Sequence, residues 1–156
     1  MNTEKPDFLE YTIGMLYSED FRSVLLLKKT RPKWQAGYYN FPGGKIEPGE
    51  PPRISVSREF KEETGLKIPT FVWSSVGTIY NGDSNYRVLI FAGIYDEKQH
   101  GEAKSLTDEL VQWVPCAALP PNIITNLNWL VPLGINYLRQ GNNPDKINFV
   151  TIDYID

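Results

Sequence analysis

The chain predicts an α/β architecture, with helices packed on a mixed sheet in two or three layers, as one domain over residues 1–156. Three observations carry this. Residues 11–17 and 23–29 read as strands, and the second holds the unbroken apolar run Val24-Leu25-Leu26-Leu27 of a strand covered on both faces. A helical pattern follows Pro51-Pro52 and stops at Thr64-Gly65, where glycine suits a left-handed helix end. Strands at 71–80, 86–95 and 110–114 then lead into a second helical pattern at 122–139.

Each element has its own cue. Asp20 marks the turn between the first two strands, and the segment 30–37, which holds Pro32, Lys33 and Trp34, reads as a loop. Residues 39–50 hold three glycines and two prolines and read as turn and short extended pieces. Ile54, Val56, Ser57 and Phe60 are expected on the buried side of the first helix. Asn81-Gly82-Asp83 is expected to turn the chain between two strands, and residues 96–107 read as a mobile polar loop. Pro132 is expected to kink or divide the last helix, and residues 147–155 suggest a final strand. The pattern does not fix strand order.

Composition narrows the function classes. A hydrophobic fraction of 41% with 13% aromatic residues is globular, and a formal charge of −3 gives no basic stripe for a nucleic-acid backbone. The single cysteine, Cys116, excludes an intrachain disulfide and favours a reducing compartment. No stretch approaches the ~20 apolar residues of a membrane span, and residues 1–10 lack an apolar signal core. A cytoplasmic protein, monomer or homodimer, is the expectation.

The chemistry concentrates in Glu59, Glu62 and Glu63. Spacings of three and four residues put these carboxylates on one helical surface, with Arg58 one turn before Glu62 and Glu50 just upstream. Taken alone, Arg58-Glu59-Phe60-Lys61-Glu62-Glu63 would also suit a solvated, ion-paired face. The Gly43-Gly44 turn and Glu50 shift that balance, because glycine lets a backbone carbonyl approach the carboxylates. A close pair of like charges costs about 1 kcal/mol in water and about 4 kcal/mol in a partly shielded site. A divalent cation reverses that cost. Oxygen donors without nearby histidine or cysteine suit Mg²⁺ or Mn²⁺, ions that bridge phosphate oxygens and acidify a bound water.

Gly44, five residues, Glu50, seven residues, Arg58-Glu59-Phe60, one residue, Glu62-Glu63, one residue, Gly65-Leu66 resembles the complete Nudix box. The resemblance implies a mixed sheet between helices and hydrolysis of a phosphoanhydride bond in a nucleoside diphosphate derivative. It implies metal binding by Glu59, Glu62 and Glu63, a ligating carbonyl at Gly43, a supporting Glu50 and a positioning Arg58. It also implies a further glutamate from a later loop, as ligand or base, for which Glu109 is the candidate with Glu102 and Glu97 as alternatives. The general base is left between Glu59 and Glu109.

Phe41-Pro42-Gly43-Gly44-Lys45-Ile46-Glu47 is similar to the MutT-type nucleoside triphosphate pyrophosphohydrolases, and Tyr11-Thr12 and Tyr39-Asn40 resemble their pocket segments. On that basis Asn40 reads a base edge and Thr12 and Lys29 face the same cleft. Trp34, Tyr80, Phe91 and Trp129 are candidate stacking residues, each also a candidate core residue. A purine nucleoside triphosphate, oxidised or not, is the leading substrate. ADP-ribose, dinucleoside polyphosphates and nucleotide sugars are alternatives, and a non-enzymatic nucleotide-binding module is the rival from another class.

Overall fold

The computed structural model describes residues 9–81, 85–141 and 150–154. In chain order these form β1 (Leu9–Tyr17), β2 (Ser23–Lys28), β3 (Tyr39–Asn40), β4 (Gly43–Lys45), α1 (Pro52–Thr64), a 3₁₀ turn (Thr70–Val72), β5 (Ser74–Asn81), β6 (Tyr86–Ile94), α2 (Glu97–His100), β7 (Leu110–Pro115), α3 (Leu127–Arg139) and β8 (Val150–Tyr154). The strands make one mixed sheet in the order β3-β2-β1-β6-β5-β8, with β4 added on β1 and β7 on β2. No described helix is long and apolar enough to cross a membrane.

Strand β1 organises the sheet. Along one edge it runs parallel to β6 from Leu9 opposite Tyr86 to Tyr17 opposite Ile94. Along the other edge its partner changes. Tyr17 pairs with Val24 of β2, whereas Tyr11, Thr12 and Ile13 pair with Lys45, Gly44 and Gly43 of β4. Strand β2 veers away to pair with β7 along its length and with β3 at its end. The Gly14 N–H donating to the Pro42 carbonyl (3.0 Å) braces the chain where β1 and β2 part.

Side chains alternate across the sheet, so each face has its own core. One joins Met15, Tyr17, Val24, Leu26, Ile90 and Ala92 to Leu127, Leu130 and Val131 of α3. The other joins Leu16, Leu25 and Phe91 to Val56 and Phe60 of α1 and to Trp73. The apolar run in β2 is thus divided between two cores, as a doubly covered strand requires, and the architecture is the three-layer α/β/α sandwich. Two glycines permit the close approaches. A Cβ at Gly14 would overlap the Phe60 ring and lie 2.8 Å from the Trp73 ring; one at Gly134 would collide with the Tyr17 hydroxyl, which donates to the Val131 carbonyl at 2.8 Å.

Several expectations change in detail. Ile54 is 48% exposed, because the inner face of α1 is set by Ser55, Val56, Phe60 and Glu63. The last helix starts at Leu127 rather than residue 122, since Tyr39 of β3 takes its N–H to the Asn122 carbonyl and its carbonyl to the Ile124 N–H. Pro132 sits inside an uninterrupted α3; the carbonyl it leaves unmatched belongs to the exposed Asn128, where water can serve. The strand expected from residue 71 begins at Ser74, after the 3₁₀ turn. The polar segment after β6 is built rather than open. Asp96 caps α2 by accepting from the Lys98 and Gln99 N–H groups, and the buried His100 accepts at Nδ1 from the Asp96 N–H (3.0 Å). Of the turn expected at residues 81–83, Asn81 ends β5, and residues 82 and 83, like the flanks of the final strand, lie outside the described residues.

Replacing Gly14 with alanine forces a methyl group into the Phe60 and Trp73 rings. The expected result is a loss of about 1–3 kcal/mol in denaturant unfolding with secondary structure retained. Wild-type stability would show that this contact does not limit the packing of α1.

Candidate active site

Helix α1 is delimited by Pro52 in its first turn and by Gly65, whose φ of 74° lets its N–H close on the Lys61 carbonyl at 3.1 Å. Between these ends the helical repeat turns Glu59 and Glu63 inward and leaves Glu62 at the rim, its side chain 57% exposed. Glu63 is buried, and its Oε1 accepts from the Gly43 N–H at 2.9 Å. Gly44 lies directly against the Glu59 carboxylate, where any Cβ would overlap it. Gly43 similarly abuts the Thr12 backbone. The glycine pair of β4 therefore brings peptide backbone and helix carboxylates into contact.

Arg58 ties the acidic groups together. Its Nε and Nη2 grip Glu50 as a fork at 2.7 and 3.0 Å. Its Nη1 donates to Glu59 Oε1 at 3.0 Å and to Glu62 Oε2 at 3.2 Å, and Nη2 also reaches the Lys45 carbonyl at 3.2 Å. The fork lowers the Glu50 pKa to about 2. Burial raises that of Glu59, with Arg58 opposing. Burial raises Glu63 to about 7, against the Gly43 N–H and the Lys29 charge, with the charges of Glu59 and Glu109 adding to the rise.

The facing wall comes from the ends of β2 and β7. Glu109 is buried, with Oε1 accepting from Lys29 Nζ and Oε2 from the Thr30 N–H, both at 2.9 Å. Asp108 accepts from Arg31 Nη2 (2.6 Å) and from the Thr30 hydroxyl (3.2 Å). The two acidic residues thus pin the start of loop 30–37. Glu97 and Glu102 are solvent-exposed.

The residues expected to contact a base are not all gathered here. Asn40 is half-buried on β3, three residues from Gly43 and so within about 10 Å of it by chain reach. Trp34 is 66% exposed at the tip of its loop, and Trp129 is 36% exposed on α3. Thr12 is wholly buried, its hydroxyl 3.5 Å from that of Ser55 beneath α1, so it is not presented to solvent. Phe91 is 3% exposed in the core under α1, with the Arg53 guanidinium 5.8 Å from its ring centre. It borders a cavity of about 430 Å³ with Pro51, Pro52, Ile54 and Leu89, at the opposite end of α1 from Glu62 and Glu63. Tyr80 of β5 lies opposite Arg87, which is paired with Glu10. Thr12 and Phe91 are buried away from solvent because strand parity and register, rather than residue type, decide which face a side chain joins. Gln35, whose Oε1 accepts from Asn40 Nδ2 at 3.1 Å, joins the site without a sequence signal, since a lone loop amide has no periodicity.

The NUDIX domain family matches residues 10–131, which include every site residue named above. The chain belongs to the Nudix family. Among Nudix relatives, the human 8-oxo-dGDP phosphatase NUDT18 is 29% identical over 139 residues, covering 86% of this chain and 41% of that protein. The 8-oxo-dGTP diphosphatase of Escherichia coli strain K12 is 34% identical over 58 residues, covering 37% of this chain and 44% of that one. The chain thus spans less than half the length of either relative. The MutT Nudix hydrolase structure from Burkholderia pseudomallei superposes with a TM-score of 0.67 at 19% identity, covering 80% of this chain and 96% of that one, a likeness of fold.

Among the described residues no three acidic, histidine or cysteine side chains are arranged to hold a metal ion; Glu50, Glu59 and Glu62 are instead held by Arg58, and Glu63 by the Gly43 N–H. The donor set nonetheless fits a hard divalent cation. It supplies carboxylate oxygens on successive helical turns beside a glycine backbone, with a guanidinium able to surrender one carboxylate while keeping another.

Glu63 gives this site a pH signature. Its folded pKa, raised from 4.5 to about 7, means the unfolded chain ionises first as pH rises. Its contribution to stability is present below the unfolded value and is lost as pH climbs through the folded one. A cation requires the ionised form, so binding should expel a proton between these values. Calorimetric Mg²⁺ titrations near pH 6 in two buffers of different ionisation enthalpy should show proton release that Glu63→Gln abolishes. Buffer-independent heats would remove Glu63 from the cation site.

Proposed function

We propose that this chain hydrolyses a phosphoanhydride bond in a nucleotide, using Mg²⁺ or Mn²⁺ held by Glu59, Glu62 and Glu63, with the Gly43 carbonyl and Glu50 in support. The observation that carries the reading is the pairing of two inward carboxylates with a glycine backbone on one side and the Lys29 ammonium on the other. A cation site alone would need only the first. A cation site facing a half-buried ammonium suits a polyanion whose oxygens bridge both. When bound, the cation would neutralise phosphate charge and acidify a coordinated water.

The chain's own groups supply the rest. Lys29 spends one N–H on Glu109 and has further donors for a phosphate oxygen. Glu109, with both oxygens engaged, suits the role of holding Lys29 and Thr30 better than that of taking a proton. Glu59 is held through Oε1 alone, which favours its Oε2 as the proton acceptor. Arg58 keeps the carboxylates in position.

For the substrate we favour a purine nucleoside triphosphate, including oxidised forms, cleaved to monophosphate and pyrophosphate. The names of the human and Escherichia coli relatives support an oxidised guanine nucleotide, and the Asn40 amide offers donor and acceptor to a base edge. A panel of ordinary and oxidised nucleoside di- and triphosphates, ADP-ribose, dinucleoside polyphosphates and nucleotide sugars, with products separated, tests this. Pyrophosphate from the triphosphates is expected. Orthophosphate from a diphosphate would redefine the bond cut, and binding without turnover would support a regulatory module.

Glu62 is exposed enough to change without disturbing the core. Glu62→Gln should keep wild-type unfolding while losing on the order of 100-fold in kcat/KM at limiting Mg²⁺; an unchanged rate would exclude it as a ligand. Trp34, on a loop pinned at Asp108 and Glu109, should report nucleotide binding. Removing it as Trp34→Phe should abolish most of the fluorescence change seen on adding a nonhydrolysable triphosphate, and an undiminished change would place the loop away from the nucleotide.

A further inference from the structure

We infer that Gln35 is a specificity-determining positioning residue, acting with the Phe41 N–H to hold the Asn40 amide in one orientation; this rests on the reading of Asn40 as the base-contacting side chain. An asparagine amide is nearly symmetric in shape but opposite in hydrogen-bond sense at its two ends. Left free, it can present either end to a ligand and discriminates poorly. Here both ends are fixed. The Phe41 N–H donates to Asn40 Oδ1 at 2.8 Å, and Asn40 Nδ2 donates to Gln35 Oε1 at 3.1 Å.

The two contacts differ in kind. A backbone N–H can only donate, so it rejects the flipped amide, in which Nδ2 would face it. Gln35 supplies the matching acceptor at the other end and draws Nδ2 to one side. Each end of the Asn40 amide keeps capacity for one further bond, so the pair presents one donor and one acceptor in fixed order. Such an edge favours a base with the complementary order and leaves its competitor with unpaired groups.

The source of Gln35 strengthens the assignment. Its loop is anchored at both ends independently of Asn40. The Lys29 and Gly37 backbones close the hairpin, with Lys29 N–H to the Tyr38 carbonyl and Gly37 N–H to the Lys29 carbonyl, both at 2.8 Å. Asn122 Nδ2 donates to the Gly37 carbonyl at 2.9 Å, and Glu109 accepts from the Thr30 N–H. The Gln35 to Asn40 bond is therefore not needed to hold the loop, and Gln35 is half-buried rather than a core residue.

The test measures binding of nonhydrolysable imido analogues of GTP and CTP, with Mg²⁺, to wild type, Gln35→Ala, Gln35→Glu, Asn40→Ala and the double alanine variant. Gln35→Ala should lower the GTP-to-CTP affinity ratio roughly three- to tenfold, the worth of one orienting hydrogen bond. Gln35→Glu keeps the acceptor and should keep the ratio, even where its charge weakens both nucleotides. In the Asn40→Ala background the second alanine should change the ratio no further, since a positioning residue has nothing left to position. In turnover, the loss in Gln35→Ala should fall on KM rather than kcat. A ratio unchanged in Gln35→Ala but lowered in Asn40→Ala overturns the inference and leaves the Asn40 reading standing. An unchanged ratio in Asn40→Ala removes both. Equal losses in Gln35→Ala and Gln35→Glu overturn it as well, because a retained acceptor then makes no difference.

Discussion

One guanidinium holding three carboxylates is the interaction on which the site depends. Glu50, Glu59 and Glu62 all meet Arg58, and Glu63 lies beside them with its own charge suppressed by burial. Two unit charges about 4 Å apart repel by roughly 4 kcal/mol at the screening typical of a protein surface. Several such pairs would rival the whole stability of a domain of this size. Arg58 offsets that repulsion, and it does so unevenly. Glu50 is gripped as a fork with its side chain 11% exposed, whereas Glu62 is touched by one nitrogen in open solvent, where an ion pair contributes little. The strong contact fixes the loop to the helix, and the weak one leaves a carboxylate free to be captured.

The fold supplies the place for this arrangement by splitting a strand partnership. Were β1 and β2 paired along their full length, the sheet would be closed where β4 now lies. Their separation after Tyr17 and Val24 admits the Gly43–Lys45 segment, and two glycines let α1 sit directly on it. Behind the carboxylates, Phe60 packs on Trp73 with ring centres 4.8 Å apart and fills the space above Gly14. The helix is thus seated by aromatic packing on one side and charged on the neighbouring side. The position of the carboxylates is set by the aromatic packing behind them.

What could be read from the sequence follows the range of the interaction concerned. Glu59, Glu62 and Glu63 were legible because helical spacing is local, and so was the end at Gly65. The division of Val24–Leu27 between two cores was legible as double coverage, though not which residue joined which core. Thr12 and Phe91 proved to be buried, because a strand residue's face depends on register with distant partners. Ile54 misled because an apolar side chain at the start of a helix need not lie on its inner stripe, and here Ser55 and Val56 do. The Asn122 to Ile124 segment looked helical until its backbone groups were claimed by Tyr39, a contact across more than eighty residues. Gln35 could not be found at all, since its partner is fixed only by the shape of the hairpin.

The Lys29 to Glu109 pair links the two halves of the site mechanically. Lys29 is both the end of a central strand wall and the hinge of the hairpin that carries Trp34 and Gln35. Glu109 holds its ammonium and, through the Thr30 N–H, the first peptide of that hairpin. A phosphate oxygen that draws Lys29 forward must therefore either stretch this bond or carry the start of the hairpin with it. The Arg31 to Asp108 contact resists such movement only weakly, since both partners are exposed. On the proposed reading, contacts to the phosphate chain and to the base would be coupled through one carboxylate, which holds the start of the hairpin alongside the hairpin's own backbone bonds. That coupling makes Glu109 consequential to the site whether or not it ever touches a cation.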